Sequence, residues 1–122
     1  DLERPRPRRF DAWPDWVLQA DEVQWLQSHA DLADYYALWT LKEALLKAVG
    51  LGLADMPQVG LRQEGRDWRL CAGGCFWQGA VFLLGGEWLC GAVWPPGVAA
   101  EWEWRGFGAW QAVEKQLLYR FT

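Results

Sequence analysis

Along the first half of the chain, apolar positions recur every three or four residues, the spacing of a helix packed on one side. In "LADYYALWTLKEALLKAV" (residues 32–49) a rotation of about 100° per residue puts Leu38, Leu41, Leu45 and Ala48 on one face. Trp39, Glu43, Leu46 and Lys47 fall on the other, flanked by Tyr36 and Lys42. Both faces carry large apolar groups, so the pattern predicts a helix packed on most of its circumference. Asp31 is placed to cap its start and Gly50 to end it. Upstream, "DAWPDWVLQADEVQWLQSHA" predicts one or two short helices. Asp21 is the expected N-cap of the second, with Glu22 in its first turn.

Beyond Gly52 the period shortens. "PQVGLRQ", "DWRLCA", "CFWQGAVFLLG" and "EWLCGAVW" are aromatic and β-branched segments set apart by Gly73-Gly74 and Gly85-Gly86 turns, and the prolines after Trp94 end the last one. The tail "FGAWQAVEKQLLYRFT" reads as a closing helix or an arm against a partner. Helices followed by strands predict an α+β fold, with helices packed on a small, mainly antiparallel sheet. No repeat or linker divides residues 1–122, which are expected to form a single domain.

Composition narrows the class. With 52% hydrophobic and 23% charged residues in 122, the chain has the makeup of one globular domain. No apolar run approaches the roughly 20 residues that span a bilayer, so no membrane segment is expected. The opening "DLERPRPRRF" has no secretory character and no initiator methionine, which points to a processed chain or a domain of something larger. A net charge of −4 argues against nucleic-acid binding. Arg4, Arg6, Arg8 and Arg9 form a local basic cluster, read either as a solvated arm or as an anion site. Cys71, Cys75 and Cys90 lack a second ligand pair and His29 is the single histidine, so reduced thiols in a cytoplasmic protein are expected in place of zinc. The 11 tryptophans are expected to fill a core and line a groove.

The charges in the long helix need an explanation, because burying Glu43 or a lysine alone costs several kcal/mol, roughly. Periodicity leaves two readings open. One is an i,i+4 ion pair between Glu43 and Lys47; the other is a carboxylate for a metal with lysines for phosphate. The second requires further carboxylates to converge on Glu43.

"WTLKEALLKAVGLGL" (residues 39–53) resembles the W-[ST]-x-K-E-x-x-x-K-x-x-G-x-G-L signature of 4′-phosphopantetheinyl transferases. The family's second signature is a G-[IV]-D-[IVL]-E strand about forty residues earlier. The opening "DLE" is similar to its end, with Asp1 standing 42 positions before Glu43. "WVLQADEVQWL" is similar to the intervening segment in which the family carries a glutamate, which falls at Glu22. The tryptophan of "WTLKE" favours the surfactin-type branch, whose members consist of two similar halves.

The resemblance implies one half of such a pseudo-dimer, here the C-terminal one. The N-terminal half and the glycine before Asp1 are absent from the sequence, and His29 does not match the histidine of that half. The implied partners are therefore a missing half or further copies of the chain. The implied reaction moves 4′-phosphopantetheine from coenzyme A to a serine of an apo acyl or peptidyl carrier protein, releasing 3′,5′-ADP. Asp1, Glu3 and Glu43 would hold Mg²⁺; the first two are i and i+2 on a strand, so their side chains point the same way. Lys42 and Lys47 would clamp the phosphates of coenzyme A, and Glu22 would be the general base, with Glu43 and Lys47 also at the reacting centre. Gly50 and Gly52 would let the following loop approach the ligand, and the arginine cluster would meet the 3′-phosphate or an acidic carrier. The alternatives are a non-catalytic domain that keeps the fold and binds coenzyme A or a partner, and an ordinary α+β interaction module.

Overall fold

The computed structural model describes residues 1–6, 17–29, 31–101, 103–105, 108 and 112–122. A short strand β1 (Leu2–Glu3) precedes helices α1 (Ala20–Ser28) and α2 (Leu32–Val49) and a 3₁₀ turn over Leu53–Gln58. Five strands follow: β2 (Gly60–Glu64), β3 (Asp67–Ala72), β4 (Cys75–Leu84), β5 (Trp88–Trp94) and β6 (Lys115–Phe121). The sheet runs β1-β5-β4-β3-β2, with β6 also on β4. Every ladder is antiparallel. This is the expected α+β arrangement. Among the described residues no helix is long and apolar enough to cross a membrane.

The two-residue loop Gly73-Gly74 closes β3 onto β4 with Ala72 opposite Cys75. Both glycines have positive φ (61° and 74°), the backbone that a tight hairpin of right-handed twist requires. Helix α2 starts at Asp31 and stops at Gly50, which is left-handed at φ 73° with its N–H on the Leu46 carbonyl. Leu38, Leu41 and Leu45 of α2 gather with Leu61, Leu70, Val81 and Leu89 of the sheet into one core. Trp25 is buried in it, with Trp39, Trp68 and Trp77 packed against it.

Four expectations are corrected. The N-cap of α1 is Gln19, not Asp21, although Glu22 does lie in the first turn. Asp21 is taken up elsewhere, its carboxylate accepting the Gln63 N–H at 2.9 Å. Ala48 is exposed and leaves the apolar face one turn early. Pro57 and Gln58 belong to the 3₁₀ turn, not to a strand. The tail over Lys115–Phe121 is a strand, because the edge of β4 over residues 79–84 offers it backbone partners on both sides of one bulge between Val81 and Phe82. Residues 11–16, where a first short helix was expected, lie outside the described residues.

The interior holds a charge pair. Glu22 of α1 and Lys42 of α2 are both 0% exposed. Lys42 Nζ lies 2.5 Å from Glu22 Oε1 and donates to the Val59 carbonyl at 2.7 Å. Glu22 also accepts from the N–H of Gln19 at 3.0 Å and of Leu61 at 3.3 Å, and Arg62 stands 3.6 Å away. The glycine at position 60 makes room for this: a Cβ there would lie 2.2 Å from Glu22 Oε2. The pair thus ties α1, α2 and the start of β2 to one point. Burial pushes the Glu22 carboxyl up and the Lys42 ammonium down to about 8. The attraction between them pulls each the other way and is outweighed by lost hydration.

Lys42→Met should leave Glu22 buried without its cation and lower stability by about 3–5 kcal/mol in urea unfolding. Adding Glu22→Gln should restore most of the loss; no recovery would show that the pair is not what Lys42 serves. The pair should also mark the pH profile. Unfolded Lys42 keeps its proton up to its ordinary 10.5, whereas the folded protein loses it near 8. Stability relative to the Glu22→Gln/Lys42→Met protein should therefore rise as pH climbs from about 8 to 10.5. Glu22, raised, should make the same difference fall as pH rises through the acid range just above its ordinary 4.5. Parallel profiles of the two proteins would contradict both signs.

Candidate active site

Strand β1 lies along β5 with Leu2 opposite Cys90 and Glu3 opposite Leu89. One position earlier, Asp1 and Gly91 exchange backbone hydrogen bonds, at 2.5 Å into the Gly91 carbonyl and 2.8 Å back from its N–H. The alternation of the strand turns Leu2 outward, 45% exposed, and sends Asp1 and Glu3 together to the other side.

Helix α2 crosses β5 on that side, seated on Gly91. A Cβ at Gly91 would lie 2.7 Å from Thr40 Oγ1 and 3.0 Å from the Thr40 Cβ and carbonyl carbon. A glycine inside a strand often marks such a close approach. Thr40 is 0% exposed, and its hydroxyl is satisfied within the helix, donating to the Ala37 carbonyl at 2.9 Å. Glu43 comes one turn after Thr40 and so rises from the same side of the helix.

Three carboxylates meet as a result. Asp1, Glu3 and Glu43 are half-buried, and each offers an oxygen within 4.8 Å of the others. Like charges at that spacing repel by roughly 1–3.5 kcal/mol per pair, depending on how much water screens them. Lys47 stands against them, its Nζ 2.8 Å from Asp1 Oδ1 with the side chain 70% exposed. Lys47 therefore reaches across to β1, the contact that the i,i+4 reading assigned to Glu43. Asp1 Oδ2 is buried without a hydrogen-bond partner. An orphaned carboxylate oxygen beside two more carboxylates fits a hard divalent ion such as Mg²⁺, which prefers oxygen ligands and leaves room for phosphate and water. Among the described residues no other group of His, Cys, Asp and Glu is arranged for a metal, and the three cysteines are free thiols.

The remaining candidates separate from this cluster. Glu22 and Lys42 come together in the interior pair, not at the cluster, and neither reaches solvent. A general base must touch the serine and a clamp must touch phosphate, and in this fold the two side chains touch each other instead. Gly50 and Gly52 are exposed with open space where a side chain would stand. Only Gly50 needs its positive φ; Gly52 precedes the 3₁₀ turn, and its N–H donates to Asp55 Oδ2 at 3.1 Å. Of the arginine cluster, Arg4 pairs with Glu87 at 3.3 Å and the Arg6 carbonyl accepts from Tyr36 at 3.1 Å. Arg8 and Arg9 lie outside the described residues. His29 stacks on Trp25, ring centroids 4.4 Å apart. Sequence reasoning missed Gly91, although a glycine within "EWLCGAVW" was a visible signal for it.

Comparison with known proteins converges on the same region. The family model described as "4′-phosphopantetheinyl transferase superfamily" matches residues 1–78, well over half of the chain. A Haemophilus influenzae protein named "Putative 4′-phosphopantetheinyl transferase" is 33% identical over 60 residues, which cover 48% of this chain and 26% of that protein. The matched stretch thus spans about a quarter of that relative's length. No solved structure matches the chain. The family match begins at Asp1 and takes in Glu3, Glu43 and Lys47, the residues the fold draws to one place, and the chain belongs to the 4′-phosphopantetheinyl transferase superfamily.

Proposed function

We propose that this chain carries the metal-binding half of a surfactin-type enzyme that transfers 4′-phosphopantetheine from coenzyme A to a serine of an apo acyl or peptidyl carrier protein. The observation that carries the reading is the meeting of Asp1, Glu3 and Glu43 within 4.8 Å, beside a lysine, in a member of this superfamily. In the reaction the serine oxygen forms a bond to the phosphorus next to pantetheine. The phosphorus–oxygen bond to 3′,5′-ADP breaks, and the serine proton is released. Such transfers depend on positioning and on neutralising charge more than on covalent help from the protein. Mg²⁺ bound by the three carboxylates would supply that neutralisation at the pyrophosphate.

The protein's own residues do the rest. Lys47 is the phosphate clamp: its ammonium already sits at the rim of the cluster on a largely exposed side chain, free to swing to an incoming oxygen. Gly50 and Gly52 keep the surface beyond α2 open. Glu22 and Lys42 enter as positioning residues that fix α2, and with it Glu43, through the interior pair. The short matched share of the longer relative favours a chain that works with an N-terminal half, or with another copy of itself. Coenzyme A and reduced thiols both belong to the cytoplasm, the compartment this reading assigns.

Incubating an apo carrier protein with this chain, coenzyme A and Mg²⁺, with and without the N-terminal half of a longer family member, should add one phosphopantetheine arm, read as intact mass. Glu43→Gln should abolish the gain while the circular dichroism stays native. No gain in either arrangement would contradict the transferase reading, and wild-type gain in Glu43→Gln would contradict the metal assignment.

A further inference from the structure

Strand β4 changes partner along one edge. It pairs with β3 over Cys75–Trp77 and with β6 over residues 79–84, while β5 takes the opposite edge. At Gln78 the sheet therefore forks. Asp67, Trp68 and Arg69 pair with β2 on one side, and their β4-facing side opens into the fork. A cavity of about 550 Å³ fills the gap, lined by Arg66, Asp67, Trp68, Arg69, Arg120, Phe121 and Thr122. That size accommodates a small organic molecule.

Three guanidinium groups line the cleft, those of Arg66, Arg69 and Arg120, with the Asp67 carboxylate and the chain end at Thr122 beside them and Glu64 against Arg69. Arg66 and Arg120 are exposed and have no ion-pair partner among the described residues. Arg69 is held in place, its guanidinium 3.9 Å from the centroid of the Phe76 ring and 3.6 Å from Glu64. Its Nε is nonetheless buried with no acceptor. The Arg69 side chain as a whole is 31% exposed, so its accessible edge is what a ligand in the cleft could meet. Guanidinium groups suit tetrahedral and planar oxyanions, and Trp68, packed on the core, reaches the same cleft.

We propose that the β3–β6 fork is an anion site, separate from the Asp1–Glu3–Glu43 cluster, that takes a phosphate group, either inorganic or carried on a small aromatic molecule. It shares no residue with the cluster and does not depend on the transferase reading. The test is NMR of the full chain labelled with ¹⁵N. Inorganic phosphate should shift the Arg69 Nε–H and the Trp68 indole N–H saturably, at an ionic strength held constant with chloride. Arg120→Gln and Arg66→Gln should each weaken binding about tenfold, the worth of one charge-assisted hydrogen bond, without altering the rest of the spectrum. Lys47→Ala should leave this titration unchanged. Phenyl phosphate binding more tightly than inorganic phosphate would assign an aromatic phosphomonoester as the occupant, and equal binding the free ion. Shifts that grow linearly, that chloride reproduces, or that survive both arginine substitutions would overturn the site.

Discussion

The contact of Thr40 with Gly91 decides where everything else in the candidate site lies. With no side chain on Gly91, the backbone of α2 settles directly on β5, and the same glycine exchanges both backbone hydrogen bonds with Asp1. One residue thus sets the height of the helix and the register of the strand. Glu43, one turn from Thr40, and Glu3, two residues from Asp1, are brought to the same place through that point. Interiors are packed too densely for the helix to take a larger residue there without moving.

The second constraint is rotational. Lys42 and Glu43 are neighbours in sequence, about 100° apart around α2, and they serve opposite ends of the charge scale. Lys42 is sunk in the interior against Glu22 and the Val59 carbonyl, and Glu43 stands half-buried among carboxylates. Turning the helix to expose Lys42 would carry Glu43 out of the cluster. A costly buried pair of this kind contributes little net stability, but it admits a single orientation. An exposed lysine stands beside the negative cluster as a counter-charge, an arrangement a cation and an anionic phosphate can both exploit.

Much of this was legible in the sequence, for reasons that can be named. Helix α2 declared itself by period and by Asp31 and Gly50 at its ends, and the hairpin at Gly73-Gly74 by turn chemistry, because both are local. The i, i+2 spacing of Asp1 and Glu3 announced a shared face. The Glu22–Lys42 pair was not legible, since both residues read as ordinary charged positions until α1 is docked 20 residues from its partner. Strand β6 was missed because "KQLLYRF" has no strict alternation, and what makes it a strand is the open edge of β4. Gly91 was seen as part of a strand, yet its role belongs to a contact with a helix 51 positions away, 91 less 40.

The most direct test of this account is Mn²⁺ binding, followed by the electron paramagnetic resonance of the free ion, in the unaltered chain and in Gly91→Ala. The account predicts one ion bound per chain at the three carboxylates. Binding should weaken about tenfold or more in Gly91→Ala, with the circular dichroism preserved, because the added methyl lifts Glu43 away from Asp1 and Glu3. Undiminished binding in Gly91→Ala, or no binding by the unaltered chain, would contradict it.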